Sequence, residues 1–350
     1  MSEVFPILEQ EGISIAFVYL GKYPPKYVWL NLVRTRDLFP MHKTVFITDN
    51  KLALRKARRL RISAFEYQGS ERMPSVTHDP KFRSGFWHLS LERMFALAEW
   101  HESTGAGGVM HVEADVLLLG NFPFARLSKM SKLAWTQVNA THDCAALLYS
   151  ASSVQTNWLK NEIRLALEEN PSHTDMTALS CIANANRDEV ETLPTWQNEW
   201  GVRESEDNRI SSSTEIENGI FDAATIGMWL TGRDPRNDWG WTRLHVPTPE
   251  HYVKPEELSF RLTEGGLIAS RDGHSANVFN LHVHSKSTHL FRTRSNDELA
   301  RLVSRSEEPS IVSVFSWGVF TLASLDFTHT LFREALKGKN YVLLMKRLFY

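Results

Sequence analysis

Short unbroken apolar runs alternate with helix-length amphipathic stretches through the first part of this chain, and that alternation limits its fold more than any other feature. Ile15 to Leu20 (IAFVYL) stops at Gly21 and reads as a strand buried on both faces. The Pro24-Pro25 pair breaks the chain, Tyr27 to Phe39 follows as a helix, and Lys43 to Thr48 is a second strand closed by Asp49-Asn50. Leu91, Met94, Phe95 and Ala98 recur at i, i+3, i+4 and i+7, the stripe of an amphipathic helix ending before Gly105, Gly107 and Gly108. Val109 to Val112 is the next strand, with Glu113 and Asp115 at its end. Parallel strands need crossovers of this length, so the fold class is α/β. Ligands of open α/β sheets collect at the carboxyl ends of strands, which is where this acidic pair falls.

Two short strands are expected between Leu133 and Ser150, a helix over Trp158 to Glu169, and another opening at Pro171 and running through Ile182. Residues 194–241 are rich in Trp, Gly, Asn and Asp and read as irregular loops around one short helix, Thr225 to Leu230; Val278 to His284 is a late strand, and helices finish the chain. An alternating first half and a looser second half suit one sheet with an elaborated substrate side.

The 39 Lys and Arg against 41 Asp and Glu give 39 − 41 = −2, so no global field recruits nucleic acid. Cys144 and Cys181 are the only cysteines, too few for a multi-thiolate zinc site or a disulfide framework. The N-terminus lacks the basic and apolar regions of a secretory signal, which points to the cytoplasm. Pro309 to Leu325 is uncharged but carries serines, a glycine and a threonine; it falls short of a spanning helix and reads as core. The last twenty residues set Arg333, Lys337, Lys339, Lys346 and Arg347 against Glu334, interleaved with Tyr341, Leu343, Leu344, Leu348, Phe349 and Tyr350. That composition suits peripheral contact with the anionic inner face of a membrane. A C-terminal helix docked on the core with its lysines in water is the other reading.

In extended geometry Glu113 and Asp115 point to one side and Ala114 to the other, so two carboxylates converge. Hard cations such as Mg²⁺ and Mn²⁺ take oxygen ligands of this kind, together with substrate phosphates. Solvated acids at a strand end are the alternative. In Asn280-Leu-His282-Val-His284-Ser-Lys286, period two puts Phe279, Leu281 and Val283 on one face and Asn280, His282, His284 and, if the strand runs on, Lys286 on the other. A neutral imidazole is a ligand for Mn²⁺ and a lysine is a point charge for phosphate; a solvated strand face is the competing reading.

Together these motifs resemble the GT-A family of nucleotide-sugar glycosyltransferases, in its bacterial polysaccharide type. Glu113-Ala-Asp115 is similar to that family's DxD motif in its ExD variant, as are the strand before it and the tail from Val116 to Phe122. The segment His282 to Lys286 is similar to a C-terminal element in which a histidine completes the metal shell and a lysine binds the diphosphate, although its spacing is shorter.

The resemblance implies a Rossmann-like, mostly parallel central sheet flanked by helices. It implies a catalytic domain over 1–290, with a donor half at about 13–125 and an acceptor half at about 126–290, followed by a C-terminal helical extension over 291–350. It also implies Mn²⁺ or Mg²⁺ held by Glu113, Asp115 and a histidine, His284 before His282 because it is nearer Lys286. Tyr19, Tyr23 and Asp49 would touch the nucleotide, and Lys286 the diphosphate.

Arg93, off the apolar stripe of its helix, either reaches the donor or stands in solvent. Asp175 is either an acidic residue near the acceptor or the N3 member of a capping box opened by Ser172. Asp222, in Phe221-Asp222-Ala-Ala-Thr-Ile-Gly227, either bonds a sugar hydroxyl or caps the following helix. Trp196, Trp200, Trp229, Trp239 and Trp241 have flat faces that suit stacking on sugar rings. The expected activity is transfer of a sugar from a nucleotide-diphosphate donor to a carbohydrate or glycolipid acceptor in surface polysaccharide or lipopolysaccharide synthesis, with a retaining outcome implied by the histidine. A metal-dependent phosphoesterase and a non-catalytic carbohydrate-binding module are the rival classes.

Overall fold

The computed structural model describes residues 12–197, 200, 218–236, 244–245, 250–292 and 297–306, and its first strand, β1 (Ser14–Val18), is buried along its whole length. From β1 the chain runs through α1 (Lys26–Leu38), β2 (Thr44–Thr48), α2 (Lys51–Arg59), β3 (Ser63–Glu66), α3 (Phe86–Thr104) and β4 (Val109–Val112). It continues through β5 (Val116–Leu118), α4 (Phe124–Leu127), β6 (Leu133–Asn139), β7 (His142–Ser150), α5 (Ser153–Glu169), α6 (Asp175–Ala185) and β8 (Val190–Leu193). The later elements are β9 (Gly219–Ile220), α7 (Thr225–Thr231), β10 (Ser259–Thr263), β11 (Gly266–Arg271), β12 (His274–Val278), β13 (Asn280–His282), α8 (Thr288–Arg292) and α9 (Asp297–Ser306).

Seven strands form the central sheet in the order β3-β2-β1-β4-β7-β6-β8. Pairing is parallel at β1–β2, β2–β3, β1–β4 and β6–β8 and antiparallel at β4–β7 and β6–β7, so β7 alone runs against the rest. This is the α/β sheet that the alternating sequence predicts, mostly parallel and Rossmann-like as the resemblance implies. Period two divides β1 between two layers. Ile15 and Phe17 meet Val28 and Leu32 of α1 and Ala53 and Ala57 of α2 on one face. Ala16 and Val18 meet Leu91, Met94 and Phe95 of α3, with Leu159 and Ile163 of α5 and Leu179 of α6, on the other. Side chains such as Phe17, Phe46 and Leu32 are fully buried, each worth about 1.5–3 kcal/mol by leaving water.

The structure departs from the sequence reading in three places. α2 and β3 occupy a stretch for which hydrophobic periodicity predicts nothing; Asn50 caps α2 by accepting from the backbone N–H groups of Leu52 and Ala53. A second sheet, β10-β11-β12-β9, takes β9 from within the stretch read as loops and its other three strands from beyond it, and the late strand expected over Val278 to His284 is split. β12 ends at Val278, the chain changes sheets at Phe279, and β13 pairs antiparallel with β5, Asn280 opposite Leu118 and His282 opposite Val116. Lys286 then adopts φ 54° in a turn, so it does not continue the polar face of a strand. Trp239, Trp241, residues 309–325 and the basic tail lie outside the described residues. Among the described residues no helix is long and apolar enough to cross a membrane.

Candidate metal and donor site

The β13–β5 pairing brings the late chain to the acidic pair. Val283 N–H donates to the carbonyl of Asp115 at 2.8 Å, continuing the ladder past His282. From the other side α1 holds the same turn: the buried Asn31 amide donates to the carbonyls of Ala114 (3.1 Å) and Val116 (2.7 Å), and Arg34 donates to that of Leu118 (2.7 Å). These bonds satisfy backbone acceptors that the short β5 leaves open and fix where the two carboxylates point. The sequence reading missed Asn31 and Arg34 because they stand as lone polar residues on an otherwise ordinary helix.

Glu113, Asp115 and His282 present ligand atoms that all lie within 4.8 Å of one another. His282 Nε2 is 3.3 Å from Glu113 Oε2 and 3.5 Å from Asp115 Oδ1. The remaining oxygens face outward: Glu113 Oε1 accepts from Arg93 and Asp115 Oδ2 from Lys286 at 2.8 Å. Burial opposes ionisation of both acids, but Arg93 and His282 around Glu113, and Lys286 and His282 around Asp115, hold the two carboxyls well below the usual range. Burial also disfavours the imidazolium of His282, yet the two acids, Asp115 foremost, keep its pKa well above the ordinary value.

The donor set fits a hard divalent cation. His282 Nδ1 lies 3.0 Å from the carbonyl of Ala223; a carbonyl only accepts, so Nδ1 carries the proton and the lone pair of neutral His282 is on Nε2, facing the carboxylates. Ligating histidines are oriented by such an outer hydrogen bond. The buried Cys144 thiol also touches His282, but burial raises its pKa, which keeps it a thiol rather than a thiolate ligand.

The preference for His284 is therefore corrected to His282. Because the strand ends at His282, the His284 ring does not project to the same point; it stacks on His282 with centroids 4.1 Å apart, and its buried Nε2 has no hydrogen-bond partner. Lys286 still reaches Asp115, by way of its turn, and also lies 3.4 Å from Asp234. Asp234 is a site residue the sequence reading missed. It is 4% exposed and accepts from the backbone N–H and guanidinium of Arg236, with Arg83 3.6 Å away. Nothing local in the sequence marks it, since Arg83 and Lys286 come from distant segments.

Arg93 is not a solvated arginine. It is largely buried and bridges Glu113 and Asp175, the latter at 3.1 Å. Asp175 does not belong to a capping box opened by Ser172: the box is Thr174 and Thr177, whose hydroxyls take each other's backbone N–H groups. Asp175 is the first residue of α6, and burial raises its pKa in spite of Arg93.

Asp222 is a helix cap and a staple. At 1% exposure its carboxylate accepts from the N–H groups of Ile226 (2.9 Å), Gly227 (2.7 Å) and His282 (2.8 Å), which leaves it buried against backbone rather than open to a sugar. The capping alternative thus holds, and Asp222 positions His282.

Tyr19 is half-buried at the end of β1, where burial and the charge of Asp115 raise its pKa against the pull of Arg236. Asp49 accepts from Gly21 N–H at 2.9 Å, tying together the carboxyl ends of β1 and β2. Gly21 has φ +83°, which favours glycine. Tyr23 is exposed beside Trp29 and Lys56. Trp196 and Trp200 are core residues packed edge to face at 4.9 Å; they sit under the second sheet with no face free for a sugar. Trp229 is half-buried against His245.

No family model matches the chain, and no curated protein matches it. Among solved structures it is similar to a crystal structure of a glycosyltransferase involved in the glycosylation of the major capsid of PBCV-1, at 9% identity and a TM-score of 0.32, covering 51% of this chain and 81% of that one. It is also similar to a cytidylyltransferase from Leptospira borgpetersenii serovar Hardjo-bovis, at 10% identity and a TM-score of 0.33, covering 54% of this chain and 78% of that one.

Proposed function

We propose that this chain is a divalent-cation-dependent GT-A glycosyltransferase that moves a sugar from a nucleotide-diphosphate donor to a carbohydrate or glycolipid acceptor, in the cytoplasm or at the inner face of the membrane. The observation that carries the reading is the convergence of Glu113, Asp115 and His282 Nε2 at the carboxyl end of β4, with Arg93 and Lys286 at its rim. Phosphoester hydrolysis on a two-metal centre asks for more ligands than this; among the described residues this is the one such group of three or more.

In this reading Glu113, Asp115 and His282 would hold Mn²⁺ or Mg²⁺, and the cation would supply positive charge against the leaving diphosphate. Lys286, shared between Asp115 and Asp234, places an ammonium where a phosphate oxygen needs one. Tyr19, Tyr23 and Asp49, at the ends of β1 and β2, flank the nucleotide. Asp175 stands near the acceptor, with Arg93 coupling it to Glu113; were the outcome inverting instead, Asp175 is the acid that would take the proton of an acceptor hydroxyl. In this reading the donor half spans about 13–125 and the acceptor half about 126–290, and the sequence resemblance adds a surface-polysaccharide pathway and a retaining outcome.

Thermal melts in the presence of nucleoside diphosphates, with Mn²⁺ or with EDTA, test the reading, because a ligand that binds only the folded form raises the melting temperature. A rise that requires nucleotide and metal together is expected. Nucleotide binding that ignores EDTA, or no nucleotide binding at all, would sink it.

A further inference from the structure

Outside the site, the strongest unexplained feature is the outer face of α2. Lys51, Arg55, Lys56, Arg58, Arg59 and Arg61 fall within one short segment, and no acid occurs from Lys51 to Phe65 in a chain whose net charge is −2. At 100° per residue, Arg58, Lys51, Arg55, Arg59 and Leu52 follow one another around about a third of the helix, and all five are exposed. Ala53, Leu54 and Ala57 take the opposite side and are buried. Lys56 turns inward, with its ammonium 4.6 Å from the centre of the Trp29 ring, so it is not part of the outer face. None of Lys51, Arg55, Arg58 or Arg59 has an ion-pair partner among the described residues.

The helix dipole accounts for part of this charge and not the rest. Cations in the last turn are favourable, which suits Arg58 and Arg59, but Lys51 sits at the first helical position, where a positive charge is opposed. Leu52, 63% exposed, stands at the edge of the basic stripe, where a nucleic-acid backbone offers it nothing and a lipid interface does. We infer that the Lys51-Leu52-Arg55-Arg58-Arg59 face of α2 docks the protein on a bilayer surface rich in anionic phospholipid headgroups. The basic side chains meet the headgroups and Leu52 enters the interface.

Vesicle co-sedimentation of the full-length chain tests this. The protein should sediment with vesicles of phosphatidylglycerol and phosphatidylcholine, stay in solution with phosphatidylcholine alone, and be released by added salt. Each Lys or Arg at an anionic surface is worth about fivefold in partitioning, so the K51Q/R55Q/R58Q/R59Q variant should bind several hundredfold more weakly. The R55Q/R59Q pair, which alters two exposed side chains only, should bind about 25-fold more weakly with an unchanged melting temperature. Leu52→Ser should weaken binding severalfold without changing its salt dependence. A full-length chain with Arg333, Lys337, Lys339, Lys346 and Arg347 changed to Gln should still bind in an α2-dependent manner. Wild-type partitioning by the α2 variants, complete loss of binding in the tail variant, or preference for an RNA oligonucleotide over the anionic vesicles would each overturn the inference.

Discussion

His282 Nε2 lies 3.3 Å from Glu113 Oε2, although the two residues come from strands in different parts of the chain. The contact exists because β13 pairs with β5 immediately after the acidic turn, and because Asp222 and the Ala223 carbonyl hold His282 by its backbone N–H and its Nδ1.

If these atoms bind a cation, Asp115→Ala weakens Mn²⁺ binding by more than the roughly 10–100-fold lost when only a ligand's outer partner is removed. Isothermal titration with Mn²⁺ measures it, and a circular dichroism spectrum like the wild type's shows that the fold persists. Wild-type affinity in this variant would remove Asp115 from the site.

The two histidines separate cleanly. His282→Ala should lose Mn²⁺ affinity on the same scale as Asp115→Ala, whereas His284→Ala, whose ring only stacks on His282, should stay within about tenfold of the wild type, the lower end of outer-partner effects. Electron paramagnetic resonance of bound Mn²⁺ distinguishes them; the reverse order would restore His284 as the ligand.

Asn31→Ala removes both donors to the carbonyls of Ala114 and Val116. Leaving buried acceptors unpaired costs about 1–3 kcal/mol, so urea unfolding should show a loss of that size, together with weaker Mn²⁺ binding. A fully stable variant would mean that the turn is held by other contacts.

Gly227 is where α7 crosses β13 most closely. A Cβ there would stand 2.6 Å from the backbone nitrogen of His282 and 2.7 Å from the Asp222 carboxylate, so the backbone has to move. Gly227→Ala should destabilise by about 1–3 kcal/mol or more, read as a lower melting temperature, and should disturb the histidine that Asp222 positions.

Stability should fall as pH drops below about 6.5, the ordinary histidine value. Burial lowers the pKa of His101, whose Nε2–H donates to the carbonyls of Ala106 and Gly107, and brings that of His251 to about 4. A folded pKa below the unfolded one means that the unfolded chain binds protons first, so this stability is present above about 6.5 and drains away toward about 4. Urea unfolding at pH 7 and pH 5 should show the loss, and His101→Gln should reduce it; equal loss in the variant would assign the effect elsewhere.

The first βαβ unit was legible because buried strands and amphipathic helices obey local periods, and Ile15 to Leu20, Tyr27 to Phe39 and Lys43 to Thr48 match the observed elements closely. Two parts were hidden. α2 is too basic to show a familiar apolar stripe, since only Ala53, Leu54 and Ala57 are buried. In the second sheet β10, β11 and β12 are joined by local hairpins whose Asp272-Gly273 turn, with φ 51° and 85°, was a signal the sequence reading passed over, while the pairing of β12 with β9 joins distant segments that carry no mark of one another.

For the site, the residue types and spacing around Glu113, Asp115 and the late histidines were enough to nominate a cation site, because carboxylate chemistry and strand period are local properties. Which histidine faces the acids, that Arg93 is buried between Glu113 and Asp175, that Asp222 serves backbone N–H groups, and that Asp234 belongs there at all were decided by tertiary structure. A change of sheet at Phe279 and the turn at Lys286 redirect every side chain after them. Such redirection arises from strand pairing across the chain, and a local pattern does not encode it.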